Sequence, residues 1–161
     1  MKAYIDIETT GLSRQYHDLT VIGIGIENNG SIEVVQLFDS TLNKNTLIKS
    51  LEGITDLYSY NGARFDLPFI KAKFDINLTS LYKHNDLMFT CWKKKLKGGL
   101  KSVEQQLGIK RKLTGIDGYM AVQLYYDYVN NCNQKALQTL HDYNKEDVVN
   151  LRVLREMLGV G

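Results

Sequence analysis

The sequence predicts an α/β fold in which a mixed central sheet is flanked by helices. Three observations point there. Short alternating or β-branched runs fill the chain up to about residue 60, helical periodicity takes over from Phe65, and an Asn28-Asn29-Gly30 turn joins two of the early runs. Strands followed by helices, with a strand–helix return in the middle, make a sheet with helices packed on it.

Residues 2–7 (KAYIDI) alternate and carry β-branched side chains, as a strand does. Residues 20–27 (TVIGIGIE) form a second strand, and the Asn-Gly turn returns the chain into a third at 31–38 (SIEVVQLF), giving an antiparallel three-strand meander. A helix is expected around 43–52. Residues 56–60 (DLYSY) read as a buried strand that ends at the Asn61-Gly62 turn, which places parallel pairing after the antiparallel meander. Phe65, Phe69, Ile70 and Phe74 then set a helical stripe, with Pro68 in a first turn where its missing N–H costs nothing. Shorter helices are expected at 86–95 and 100–108, separated by Gly98-Gly99. A further helix is expected at 118–131 and the longest at 134–158, with Leu137, Leu140, Val148, Leu151 and Leu154 facing inward. No repeat or low-complexity linker divides the 161 residues, so a single domain over 1–161 is expected.

Composition narrows the class. Hydrophobic residues at 43% and charged residues at 24% suit a globular protein. No apolar run is long enough to cross a bilayer, so no membrane partner is expected. Asp6 and Glu8 interrupt the only early apolar run, so no signal peptide is read and a cytoplasmic location is expected. Cys91 and Cys132 lie far apart without metal-ligand spacing and are expected to be reduced and structural, and the three histidines form no zinc pattern. The net charge of +2 is uninformative, but two basic clusters stand out: Lys93, Lys94, Lys95, Lys97 and Lys101, then Lys110, Arg111 and Lys112. Each fits either a phosphate-binding surface or a solvated helix face and polar loop.

The chemistry lies in the acids. Asp6 and Glu8 are two apart on a strand and so share a face. Two like charges side by side in an apolar strand require a counter-charge, and oxygen ligands without cysteine or histidine favour Mg²⁺ or Mn²⁺; ordinary surface acids on an exposed edge strand fit equally well. Asp66 follows the Asn61-Gly62 turn at a helix start, as a ligand or simply as a cap. Tyr143 and Asp147 lie one turn apart on one face of the last helix.

In order, the blocks Asp6-Ile7-Glu8-Thr9-Thr10-Gly11, Tyr60-Asn61-Gly62-Ala63-Arg64-Phe65-Asp66 and Tyr143-Asn144-Lys145-Glu146-Asp147 resemble the three exonuclease motifs of the DEDD exonucleases, in the ribonuclease H-like superfamily. The third block is of the tyrosine type, because the histidine type would place His where Asp142 stands. Phe65-Asp66-Leu67-Pro68-Phe69, His84-Asn85-Asp86-Leu87 and Leu100-Lys101-Ser102-Val103-Glu104 are also similar to YprB-like ribonuclease H-like domains. The three main blocks further resemble the proofreading exonuclease domains of family B DNA polymerases. The 161 residues hold no polymerase-like segment, so proofreading in cis is not expected.

The resemblance implies a ribonuclease H-like fold and a 3′→5′ exonuclease acting on single-stranded DNA or RNA. It implies that Asp6, Glu8, Asp66 and Asp147 hold two Mg²⁺ or Mn²⁺ ions, with Tyr143 orienting the attacking water. Asn61 either hydrogen-bonds substrate or holds its own turn, Thr9 lies where substrate would approach, and Lys93 and Lys94 are candidates to track a strand, with Trp92 or Phe89 stacking on bases or packing in the core. Two alternatives accompany this reading: a structure-selective endonuclease of the same fold, and a nucleic-acid-binding module without turnover.

Overall fold

Strand β1 (Lys2–Thr9) is the middle of a five-stranded sheet, and everything else is arranged around it. The computed structural model describes residues 1–161. On one side β1 pairs antiparallel with β2 (Leu19–Asn28), which pairs antiparallel with β3 (Ser31–Phe38). On the other side it pairs in parallel with β4 (Asp56–Ser59), which pairs in parallel with β5 (Lys83–Asp86). The order is β3-β2-β1-β4-β5, an antiparallel meander continued by parallel strands.

The helices form two layers. α1 (Lys44–Ser50), α2 (Asp66–Phe74) and α3 (Leu78–Leu81) cover one face. There Ala3, Ile5 and Ile7 of β1 pack with Ile22, Leu57, Phe69 and Ile70. α4 (Leu87–Lys93), α5 (Leu100–Leu107), α6 (Gly118–Asn131) and α7 (Gln134–Leu158) make up the second layer. Tyr4 and Tyr58 of the sheet meet Val103, Val148, Leu151 and Leu154 on this face. Tyr4 lies on the even-numbered side of β1, so Asp6 and Glu8 are turned toward the α7 layer.

Two glycines set how closely α7 approaches. A Cβ on Gly25 would lie 2.6 Å from Ile32 Cδ1 and 2.7 Å from Val148 Cγ1, and Gly23 is likewise pressed by Asn144 and Val148. Gly23 is the register partner of Asp6, so bare backbone beside Asp6 is what admits α7.

Two elements depart from expectation. Residues 83–86 form an edge strand, and the helix expected from residue 86 starts at Leu87 with Asp86 as its N-cap, accepting from Met88 N–H. Lys-His-Asn-Asp has no apolar alternation because an edge strand buries little. The short α3 was not anticipated either. Cys91 is buried, but Cys132 is exposed in a left-handed C-cap of α6, so only the first is a core residue.

Candidate active site

β1 pairs with β4 only through Lys2, Ala3 and Tyr4. Beyond Tyr4 the two strands separate, and the opening at the C-terminal end of β1 becomes a cleft of about 600 Å³. Its wall includes Asp6, Glu8, Thr9, Asn61, Phe65, Asp66, Tyr143 and Asp147, together with the exposed side chains of Leu12 and Tyr119.

One carboxylate oxygen from each of Asp6, Glu8 and Asp147 lies within 4.8 Å of the others. Asp66 stands beside this trio on the same cleft, outside that radius. It opens α2 and fills the gap left by the departing β4, accepting the backbone N–H of Ile7 on Oδ2 at 3.1 Å. The separation of β1 from β4 therefore orphans a buried donor, and Asp66 satisfies it. All four acids resist ionisation. Burial pushes Asp66 up to about 7, and burial with neighbouring acids raises Asp6 and Glu8 well above the ordinary carboxylate range. Asp147 is raised by burial, with Lys101 and Arg111 working against the shift.

Neighbouring side chains hold these acids in place. Asn144, fully buried, donates from Nδ2 to Asp6 Oδ2 (3.0 Å) and to the Asp6 carbonyl (3.2 Å), while Gln36 Nε2 donates to Asn144 Oδ1 (2.9 Å). Arg111 NH2 donates to Asp147 Oδ1 at 2.5 Å, and its NH1 bridges both oxygens of Glu104 at 2.9 Å. Glu104 also accepts from Asn150 Nδ2 at 3.2 Å. Lys101 Nζ donates to Tyr143 Oη at 2.6 Å and lies 4.0 Å from Asp147. Burial pushes the Tyr143 hydroxyl upward, so it stays protonated at neutral pH.

Lys101 and Arg111 therefore work inside the site. The sequence alone leaves both in basic clusters that fit either a phosphate-binding surface or a solvated face and loop. A signal for Arg111 was available: Glu104 sits at a core position of α5 beside Val103, and a buried carboxylate requires a cation. Asn144 lay inside a recognised block without an assigned role.

The remaining expected residues divide. Thr9 lines the cleft, with its hydroxyl donated to the Gly11 carbonyl at 2.7 Å. Asn61 lines it too, at φ 60°, and its buried Oδ1 has no partner. Its turn is held by Asp86, which accepts from Asn61 N–H (2.8 Å) and Ala63 N–H (3.0 Å). Lys93 and Lys94 lie exposed at the end of α4 and are not brought into the cleft.

The donor set fits a hard divalent cation. The cleft wall offers carboxylate oxygens and no histidine or cysteine, and the acids crowd together with less positive charge than they need.

A family profile described as the RNase H superfamily matches residues 3–159. The chain belongs to that superfamily. YprB of Bacillus subtilis (strain 168), an uncharacterized protein, is 29% identical over 171 residues, covering 92% of this chain and 39% of that protein. The chain thus spans well under half the length of that relative. Brucella melitensis NrnC with bound Mg²⁺ superposes with a TM-score of 0.67 at 21% identity, over 98% of this chain and 71% of that one. NrnC bound to pGG gives 0.65 at 21% identity, over the same shares of the two chains. A family B DNA polymerase from the hyperthermophilic archaeon Pyrobaculum calidifontis gives 0.70 at 16% identity, over 98% of this chain and 24% of that one. These likenesses establish the RNase H-like nuclease fold expected from the motifs. No helix is long and apolar enough to cross a membrane.

Proposed function

We propose that this RNase H superfamily chain is a metal-dependent 3′→5′ exonuclease of the tyrosine DEDD type, hydrolysing phosphodiester bonds of single-stranded DNA or RNA. The observation that carries the reading is the convergence of Asp6, Glu8 and Asp147 within 4.8 Å, with Asp66 on the same cleft. Isolated buried acids would not be gathered so closely without a cation to share.

Asp6, Glu8, Asp66 and Asp147 would hold two Mg²⁺ or Mn²⁺ ions. Such ions, when bound, supply water activation and neutralise charge on the phosphate. Asn144 fixes the Asp6 rotamer, and Arg111 fixes that of Asp147. Tyr143 accepts a hydrogen bond from Lys101 and keeps its own proton, so it orients the attacking water by donating to it. Lys101 adds a positive charge beside the scissile phosphate. Asn61, on the cleft wall, would border the terminal nucleotide. Thr9 forms the wall against which that nucleotide rests, Leu12 and Tyr119 offer faces for its base, and Lys93 and Lys94 meet the strand outside the cleft. That NrnC has been solved with Mg²⁺ and with pGG supports a cation and a short single strand as ligands of this architecture.

The test is incubation of 5′-labelled linear and circular single-stranded DNA and RNA with Mg²⁺, Mn²⁺ or EDTA. Stepwise shortening of linear strands, intact circles and silence in EDTA are expected. Cut circles would overturn the exonuclease assignment, and undiminished cleavage in EDTA would overturn the metal assignment.

A further inference from the structure

α4 shows two contrasting faces. Leu87, Met88 and Cys91 are buried against the sheet, while Phe89 and Trp92, three residues apart on the opposite face, are 36% and 41% exposed. The sequence left these aromatics open between core packing and base stacking, and the core does not take them. Their rings meet edge to face with centroids 5.5 Å apart, and the exposed Arg64 lies over both, its Cζ 5.6 Å from the Phe89 centroid and 5.2 Å from that of Trp92.

This cluster adjoins the cleft. Arg64 sits in the 61–65 turn between Asn61 and Phe65, both of which line the cleft. The loop after α4 runs to Leu100, another cleft residue, and Tyr60 Oη donates to Gly98 O at 2.6 Å, tying loop and turn together. Lys93, Lys94 and Lys97 are exposed along that path. The lysine ion pairs of the chain belong to Lys73, Lys83 and Lys101, so these three charges are unspent.

We propose that Arg64, Phe89 and Trp92, with Lys93, Lys94 and Lys97, form a second binding site for the part of a single strand that lies beyond the terminus seated in the cleft. The direction of the strand rests on the exonuclease reading above; the site itself does not. Half-exposed aromatic rings capped by Arg64, beside lysines outside any ion pair, match a polyanion whose bases are unstacked. A duplex would hide its base faces, and an apolar protein partner would leave the lysines without a role. The chain is thereby built to hold strands longer than a dinucleotide.

Trp92 is the only tryptophan of the chain, so its emission reports on the site directly. Titrations of the full chain in EDTA, where no strand is cut, should show quenching by an oligothymidylate of about ten nucleotides and little by a dinucleotide. Phe89→Ala and Arg64→Ala should each raise the Kd for the longer strand by about tenfold. Lys93→Glu with Lys94→Glu should flatten the log–log salt dependence by roughly 0.7 per lost contact. In Mg²⁺, Trp92→Ala should shrink the kcat/KM advantage of the longer strand over the dinucleotide. No quenching by the longer strand, or equal quenching by both ligands, overturns the site; the first outcome would leave the face to a protein partner. Quenching without any hydrolysis in Mg²⁺ would defeat the nuclease reading and leave this one standing, while hydrolysis with unperturbed Trp92 emission would do the reverse.

Discussion

The two sides of the cleft solve the same electrostatic problem differently. On the α7 side Asp147 is matched within the fold: Arg111 reaches its carboxylate and is itself braced by Glu104, and Lys101 stands 4.0 Å away. On the β1 side the closest support is neutral, since Asp6 receives only the amide of Asn144. Arg111 and Lys101 hold Asp147 in a defined rotamer and offset part of the burial that raises it, whereas the β1 pair has no cation in direct contact with its carboxylates. The two walls therefore differ in how far the fold itself offsets their negative charge, and substitutions should separate them.

The largest expected effect is on turnover. Asp147→Asn or Asp66→Asn removes a carboxylate from the proposed ligand set, and the rate should fall on the order of a thousandfold while circular dichroism stays native. A near-normal rate for purified Asp66→Asn protein at saturating Mg²⁺ would remove Asp66 from the ligand set, a pointed outcome because it stands outside the 4.8 Å trio.

Next comes stability, where the two walls should differ in sign. Arg111→Met strands Glu104 and Asp147, with side chains 1% and 8% exposed, and should cost about 3–5 kcal/mol in urea unfolding. Asp6→Asn relieves repulsion among the acids and should stabilise the metal-free protein, by on the order of 1 kcal/mol, while abolishing activity. Destabilisation by both substitutions alike would show that the β1 acids are already compensated, and the contrast between the walls would be lost.

How much of this was readable in advance follows the same division. The β1 acids, the turn before Asp66 and the Tyr143–Asp147 face are local patterns of period two or four, and short-range geometry suffices to place them. The meander and the long helix were legible for the same reason. β5 was not, because Lys83–Asp86 is an edge strand defined by its partner rather than by its own side chains. Lys101 was not, because a basic residue in a charge run looks the same whether it points to solvent or inward, and Arg111 was legible only indirectly, through the core position of Glu104. Only the packing of α5 and of the loop that follows it against α7 decides that.

A smaller and reversible contrast comes from pH. Asp66 binds its proton up to about pH 7 when folded and releases it near 3.8 when unfolded. The folded state therefore holds more protons in that window, so the stability of the metal-free protein falls as pH rises through it. Thermal melts in EDTA should show the midpoint dropping from mildly acidic to neutral pH, with Mg²⁺ flattening the trend. A midpoint that rises over this range would contradict the burial of uncompensated acids.

The finest discrimination is Tyr143→Phe. The substitution keeps the ring, which lies 4.5 Å below Lys101 Nζ, and deletes only the hydroxyl that Lys101 contacts at 2.6 Å. No carboxylate is altered, so Mn²⁺ affinity measured by calorimetry should match the wild type. Losing one water-orienting hydrogen bond should slow kcat by about tenfold, the equivalent of ~1.4 kcal/mol. If kcat held while Mn²⁺ affinity fell, Tyr143 would be a support of the acid cluster through Lys101 and Asp147, and the orienting role would pass to another group on the cleft wall.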